Sequence, residues 1–132
     1  MNNFKINNQN DTKKENTIGN AYCPYILPSV HLKPLNEIER SIQKKYRSEL
    51  WSPFIKALKE FEMVKDGDKI AVAISGGKDS LLLSKLFQEL KRASKTNFEI
   101  VFISMNPGFN SINLKNLQNN LEYLGINCEI YD

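Results

Sequence analysis

The chain has 132 residues, 41% of them hydrophobic, which is the size and composition of one small globular domain. Its 18 basic and 15 acidic side chains leave a formal net charge of +3, an excess too small to identify a nucleic-acid partner. No apolar run approaches the roughly 20 residues of a membrane-spanning helix. The polar N-terminus also lacks the apolar segment of a signal peptide. We therefore expect a cytoplasmic protein with no membrane partner.

Cysteine and histidine are scarce in this sequence. Cys23 and Cys128 are far apart and form no Cys-x-x-Cys pair, and His31 is the single histidine. A structural zinc site takes about four such ligands. We therefore predict reduced, isolated thiols, with Cys128 beside Ile130 on the buried side of a strand, and a surface position for His31.

The composition divides the chain into three regions. Residues 1–34 are predicted to be a disordered tail followed by a proline-rich connector, because the tail is polar and Pro24, Pro28 and Pro34 oppose regular structure. Residues 35–65 are predicted to form an N-terminal helical segment. Residues 66–132 are predicted to form the front part of a domain in which strands and helices alternate.

The helical segment is predicted to contain two helices. The first begins at Asn36, a good N-cap residue. Its apolar stripe has helical spacing and consists of Ile38, Ile42, Tyr46 and Leu50. Ser52-Pro53 predicts the start of the second helix, whose buried side would hold Phe54, Ile55, Leu58 and Phe61. The basic residues Lys44, Lys45 and Arg47 lie off the first stripe and are interpreted as a solvated face.

Strands and helices alternate in the rest of the chain. Residues 69–74 read as an apolar parallel strand covered on both faces. A helix over 79–93 follows, with Leu82, Leu83, Leu86 and Leu90 inward. A strand over 99–104, a helix over 112–124 ended by Gly125, and a strand over 127–131 complete the pattern. The βαβαβ order predicts an α/β fold with a parallel, Rossmann-like sheet.

The most informative segment joins the first predicted strand to its helix and reads Ser75-Gly76-Gly77-Lys78-Asp79-Ser80. Consecutive glycines let the backbone turn sharply and approach a ligand closely. The amides that follow lie at a helix N-terminus, where the dipole favours anions. Lys78 adds a full positive charge, and the hydroxyls of Ser75 and Ser80 can donate to phosphate oxygens. The segment therefore predicts a site for a chain of phosphates.

Two common nucleotide motifs are excluded. A Walker A loop has glycine and Ser or Thr where this chain has Val72 and Asp79, and Gly76-Gly77 does not fit the Gly-x-Gly-x-x-Gly dinucleotide fingerprint. Asp79 is unusual because an acid in a phosphate cradle repels the ligand unless a cation lies between them. We therefore assign Asp79 to Mg²⁺, with helix capping as the alternative role.

The six residues resemble the PP-loop signature of the ATP pyrophosphatases of the adenine-nucleotide α-hydrolase type. That resemblance implies ATP binding, with the β and γ phosphates held as a leaving group and AMP transferred, and it makes Lys78 and Asp79 the candidate catalytic residues. The adenosine is expected near Ala73, Ser104 and Met105, because ligands of such folds bind at the carboxyl ends of parallel strands.

The flanking sequence, from residue 38 to residue 125, is similar to the tRNA 2-thiocytidine synthetases. The similar stretches are Lys44-Lys45-Tyr46-Arg47, Asp66-Gly67-Asp68-Lys69, Pro107-Gly108-Phe109 and Tyr123-Leu124-Gly125-Ile126. This resemblance implies a tRNA partner and adenylation of an anticodon-loop cytidine, after which sulfur displaces AMP. The family holds a [4Fe–4S] cluster with a Cys-x-x-Cys pair and a third cysteine after the third strand. Those ligands are missing from this sequence, which we therefore expect to be a truncated chain.

Two other functions remain open. A tRNA lysidine synthetase-like enzyme would use the same loop, although that family usually starts close to it, and 74 residues precede Ser75 here. A nucleotide-binding module without turnover is the second alternative. We also expect the chain alone to be a poor enzyme and to self-associate through an open edge at the first strand.

Overall fold

The computed structural model describes residues 32–132. The predictions for Cys23, His31 and residues 1–31 in general lie outside the described residues. The elements, in chain order, are α1 (Leu35–Gln43), a π-helix (Arg47–Trp51), α2 (Ser52–Glu60), β1 (Lys69–Ala73), α3 (Lys78–Ala93), β2 (Glu99–Met105), α4 (Ser111–Tyr123) and β3 (Cys128–Tyr131). None of these helices is long and apolar enough to cross a bilayer.

The three strands form one parallel sheet in the order β1-β2-β3, which confirms the predicted α/β fold. Ala73 is paired with Ile103, and Met105 with Tyr131, so the carboxyl ends of the strands lie at one edge. Large side chains on one sheet face, such as Val72 and Phe102, join helix side chains in one core. Phe98, Ile74 and Leu117 are the largest fully buried hydrophobic side chains.

The opposite sheet face is open in the part of the chain that the structure describes. Ala71, Ala73, Val101, Met105 and Tyr131 are all exposed there. The prediction that the first strand is covered on both faces is therefore wrong for residues 32–132. Large and small residues in fact alternate along β1, so Ile70 and Val72 point to the core while the alanines occupy the open face.

The helical segment differs from its prediction at the first helix. Helix α1 begins at Leu35, directly after Pro34, so Asn36 lies inside the helix and does not cap it. The helix ends at Gln43, and a turn and a π-helix follow where the sequence predicted a continuous helix to Leu50.

The second helix begins at Ser52, as predicted, although Ser52 is helical and makes no side-chain cap. The Ser52 amide donates to the Arg47 carbonyl, which is the i→i+5 bond of a π-helix. The next residue, Pro53, has no amide hydrogen and therefore cannot donate a helical hydrogen bond. The altered path buries Trp51, whose ring packs 6.1 Å from that of Phe54.

Some predicted core residues are misplaced. Leu83 is 40% exposed and Phe61 69% exposed, whereas Leu81 and Phe87 of α3 are buried. Leu82, Leu86 and Leu90 pack toward the core as predicted, so the buried side of α3 includes the predicted stripe except Leu83. Cys128 is half-buried and packs against the core from the same face as Ile130, as predicted.

The end of α4 confirms the prediction for Gly125. Its φ of 62° lies in the left-handed region, and its amide donates to the Glu122 carbonyl. The Ile126 amide donates to the Leu121 carbonyl, which completes a Schellman motif.

A polar cluster joins α1 to α3. The Lys85 side chain is 3% exposed, and its ammonium donates to Glu39 Oε1 at 2.7 Å, Gln88 Oε1 at 2.6 Å and the Leu124 carbonyl at 2.9 Å. Arg92 donates to both carboxylate oxygens of Glu39, at 2.9 and 2.8 Å. Hydrogen bonds from Arg92 and Lys85 lower the pKa of Glu39 to about 2 despite the opposing effect of burial. The helical segment is thereby fixed to the helix that follows the glycine-rich loop.

Candidate functional site

Hydrogen bonds to β2 fix the backbone at Ile74, where the loop between β1 and α3 leaves the sheet. The Ile74 amide donates to the Ile103 carbonyl at 2.7 Å, and the Ile74 carbonyl accepts from the buried Ser104 hydroxyl at 2.7 Å. Gly76 then takes a φ of 90°, which other residues rarely adopt, and Gly77 is the N-cap of α3. The strand end therefore fixes the direction in which the loop turns toward the helix.

The Ser80 hydroxyl holds the loop together from inside. It donates to the Gly77 carbonyl at 3.0 Å and accepts from the Ser75 amide and the Ser75 hydroxyl, both at 3.2 Å. The Ser75 oxygen also accepts from the Gly77 amide at 3.4 Å. The single hydroxyl proton of Ser80 is engaged with the Gly77 carbonyl, so Ser80 stabilises the loop in this conformation. The Ser75 side chain is the more exposed of the two serines.

The first turn of α3 has the properties of an anion site. The amides of Lys78, Asp79 and Ser80 are the first of the helix, where no intrahelical carbonyl can reach them. The helix is 16 residues long, so its N-terminus carries the partial positive charge of a full macrodipole. Negative oxygens placed outside this turn would meet these amides directly.

The side chains of Lys78 and Asp79 lie in solvent and contact each other. Their exposed fractions are 83% and 90%, and Lys78 Nζ is 3.0 Å from Asp79 Oδ1. An ion pair this exposed contributes at most about 1 kcal/mol, so a phosphate or a cation can separate the two groups at little cost. Among residues 32–132 there is no cluster of three or more acidic, histidine or cysteine ligands. One carboxylate nevertheless suits Mg²⁺, which keeps several waters and shares phosphate oxygens.

The three residues predicted to lie against adenosine do not share one face of the sheet. Ala73 and Met105 are exposed on the open face, close to the carboxyl ends of β1 and β2. Ser104 is 1% exposed, faces the core, and uses its hydroxyl on the Ile74 carbonyl. The structure therefore brings Ala73 and Met105 to one surface and gives Ser104 a position behind it.

A second loop at the same edge depends on Asn106, which the sequence analysis did not single out. Its side-chain oxygen accepts from the amides of Gly108 and Phe109, at 3.2 and 2.8 Å, and its amide group donates to Asp132 at 2.9 Å. Asparagine before a Pro-Gly pair is a turn signal that could have identified it. Asn106 thus orders the loop that follows β2, beside the loop that follows β1.

Comparisons with known proteins extend these observations. The chain is 35% identical over 77 residues to a tRNA-cytidine(32) 2-sulfurtransferase of Dichelobacter nodosus, covering 58% of this chain and 29% of the relative. A Pelobacter propionicus protein of the same name is 36% identical over 75 residues, covering 57% and 28%. The protein of that name from Acinetobacter baylyi is 43% identical over 56 residues, covering 40% and 19%.

The matches thus span less than a third of the length of these curated relatives. No protein-family model and no solved structure matches the chain. More than half of the chain is nevertheless similar to part of the tRNA-cytidine(32) 2-sulfurtransferases, which confirms the resemblance inferred from the loop and its flanks.

Proposed function

We propose that this chain supplies the ATP-binding part of a tRNA-modifying enzyme, in which an anticodon-loop cytidine is adenylated and then thiolated. The reaction joins the α-phosphate of ATP to the cytidine and releases pyrophosphate, and a sulfur nucleophile later displaces AMP. Residues 75–80 bind the β and γ phosphates. The observation that carries the proposal is the internally bonded glycine-rich turn at the N-terminus of α3.

The loop suits a pyrophosphate leaving group for electrostatic reasons. Its backbone is held by Ser80 before any ligand binds, so the amides of the first turn need little reorganisation. Lys78 lies at the same turn with its ammonium in solvent. A fixed set of amides with one mobile cation stabilises the negative charge that develops on the pyrophosphate as its phosphoanhydride bond to the α-phosphate breaks.

Asp79 fits a role in holding Mg²⁺ against the phosphates. Its carboxylate is 90% exposed and, among residues 32–132, is engaged by the neighbouring Lys78, so it can turn toward a cation without breaking a buried contact. The metal, when bound, would neutralise charge on the phosphate chain. Lys78, released from Asp79, would then be available to a phosphate oxygen.

The tRNA part of the proposal comes from the relatives. Their name states transfer of sulfur to cytidine 32 of tRNA, and two of them match this chain over 77 and 75 residues. That this chain acts on the same substrate is part of the proposal.

An iron–sulfur cluster does not fit the residues that the structure describes. Cys128 is the one cysteine among them, and burial raises the pKa of its thiol, which disfavours the thiolate that a metal requires. No step attributed to these residues passes through a cluster.

Competition between ligands tests the proposal. ATP with Mg²⁺ should bind, inorganic pyrophosphate should displace it, and AMP should compete poorly, because the loop recognises the β and γ phosphates. Lys78→Ala should weaken ATP and pyrophosphate alike and leave any AMP binding unchanged. If AMP displaces ATP as well as pyrophosphate does, the loop does not hold the leaving group.

A further inference from the structure

The π-helix gives the helical segment a basic surface that its sequence spacing does not reveal. Arg47 and Lys56 are nine residues apart, and a continuous α-helix, at about 100° per residue, would place them on opposite sides. A π-helix takes about one more residue per turn. Five residues of it therefore rotate Arg47 by roughly a quarter turn, toward the side of Lys56 and Lys59.

These three cations line one open groove. The groove has a volume of about 580 Å³, and its lining also includes Trp51 and Ile55. Within residues 32–132 none of the three makes an ion pair, and Arg47 has only a 3.5 Å contact to the Gln43 carbonyl. The acidic residue of the lining is Glu60, so the groove has a net positive charge. Cations without ion pairs beside apolar side chains suit a polyanion that also has flat, apolar faces, as a nucleic acid has in its bases.

The helical segment also contributes to a groove that reaches the loop. Tyr46 and Leu50, which flank Arg47, line a second groove of about 320 Å³ together with Lys78. Lys44 and Lys45 are exposed on the turn before the π-helix, and the Lys45 ammonium lies 5.1 Å from the centre of the Tyr46 ring. Basic side chains are therefore present at the glycine-rich loop, on the turn before the π-helix and in the groove of Arg47, Lys56 and Lys59.

We propose that the groove of Arg47, Lys56 and Lys59 docks the phosphate backbone of the RNA substrate. The inference rests on the proposed function and adds to it the surface of this chain that contacts tRNA. Phosphate contacts position an RNA without reading its sequence, and exposed Lys and Arg side chains on a fixed scaffold supply them. The salt bridges of Glu39 fix that scaffold to α3, so RNA held in the groove keeps a constant position relative to the loop.

The test is the binding of a tRNA transcript, measured by fluorescence anisotropy over a range of salt concentrations. The variant carries Arg47→Gln, Lys56→Gln and Lys59→Gln. Its control carries Lys33→Gln, Lys69→Gln and Lys115→Gln, which replace three exposed lysines outside the groove and remove the same total charge. Each lost phosphate contact lowers the slope of log K against log salt by roughly 0.7–0.9. The groove variant should therefore lose roughly 2 from the slope and bind at least about tenfold more weakly in low salt, and the control much less.

The outcomes separate the inference from the proposed function. If the wild type binds tRNA and the two triple variants are weakened equally, the groove is not the docking surface, and the proposed function stands. If the wild type does not bind tRNA at all, the proposed function fails with the inference. Binding of ATP by the groove variant, measured in parallel, should equal that of the wild type. A loss there would mean that the substitutions disturb the fold or the loop, which contradicts a role limited to RNA.

Discussion

Replacing Glu39 by glutamine should destabilise the chain more than any other single change in an acidic side chain of α1. The Glu39 side chain is 18% exposed and accepts from Lys85, whose side chain is almost fully buried, and from Arg92. The substitution keeps the shape of the side chain and removes its charge. Lys85 would then face only neutral oxygens, those of residue 39, Gln88 and Leu124.

The magnitude follows from the pKa of Glu39. Its partners lower that pKa from 4.5 to about 2 in the folded chain, and the difference corresponds to about 3 kcal/mol of stability. Because the pKa is lowered, this contribution is complete above pH 4.5 and is lost as the pH falls toward 2. Removing one partner of a buried pair costs about 3–5 kcal/mol in other proteins, which is the same order.

Urea unfolding at pH 7 and near pH 3 measures this effect. Glu39→Gln should lower the free energy of unfolding by about 3 kcal/mol at pH 7, and the difference from the wild type should shrink to less than half near pH 3. Glu37→Gln is the control, since Glu37 is an exposed acid in the first turn of the same helix and should cost less than about 1 kcal/mol. Equal unfolding free energies for wild type and Glu39→Gln at pH 7 would refute the reasoning.

The other predictions concern the loop, the end of α4 and the sheet edge. Ser80→Ala should cost about 1–3 kcal/mol in stability and weaken ATP binding, because its hydroxyl makes three hydrogen bonds inside the loop, and an unchanged ATP affinity in calorimetry would contradict that role. Gly77→Ala should fold normally, because the φ of Gly77 is −76°, yet bind ATP more weakly. Gly125→Ala should lower the unfolding free energy by about 1–2 kcal/mol, because the φ of Gly125 is 62° and the added Cβ would lie 3.0 Å from Leu35. Light scattering should show that the chain self-associates, and Ala71→Lys on the edge strand should reduce the self-association more than Ile112→Lys on α4. A monodisperse wild-type monomer would contradict this prediction.

The order of elements was predictable because each strand and each later helix carries its own signal. Gly125 ends α4 by adopting the left-handed conformation that glycine tolerates, and the apolar runs of β1 and β2 define the sheet. The hexamer also indicated the candidate site, since glycines followed by a helix N-terminus favour the binding of anions.

Other features depend on packing that periodicity does not report. The stripe of Ile38, Ile42, Tyr46 and Leu50 fits one straight helix, yet the burial of Trp51 and the missing amide of Pro53 favour a π-helix in its place. Ser104 was grouped with Ala73 and Met105 because all three lie near strand ends. Strand residues alternate between faces, so Ser104 points away from the other two and stabilises the loop from behind.

Calorimetric titration of ATP with Mg²⁺ tests the central claim, that residues 75–80 hold the nucleotide through its phosphates. Wild type, Lys78→Ala and Asp79→Asn would be compared with Lys115→Ala, a control that removes an exposed lysine from α4. Lys78→Ala should weaken binding by about 1.5–3 kcal/mol, as expected for a charge-assisted contact, and Asp79→Asn should reduce the gain in affinity that Mg²⁺ provides. Equal affinity in wild type and Lys78→Ala would contradict the account, and a full Mg²⁺ response in Asp79→Asn would contradict the metal role.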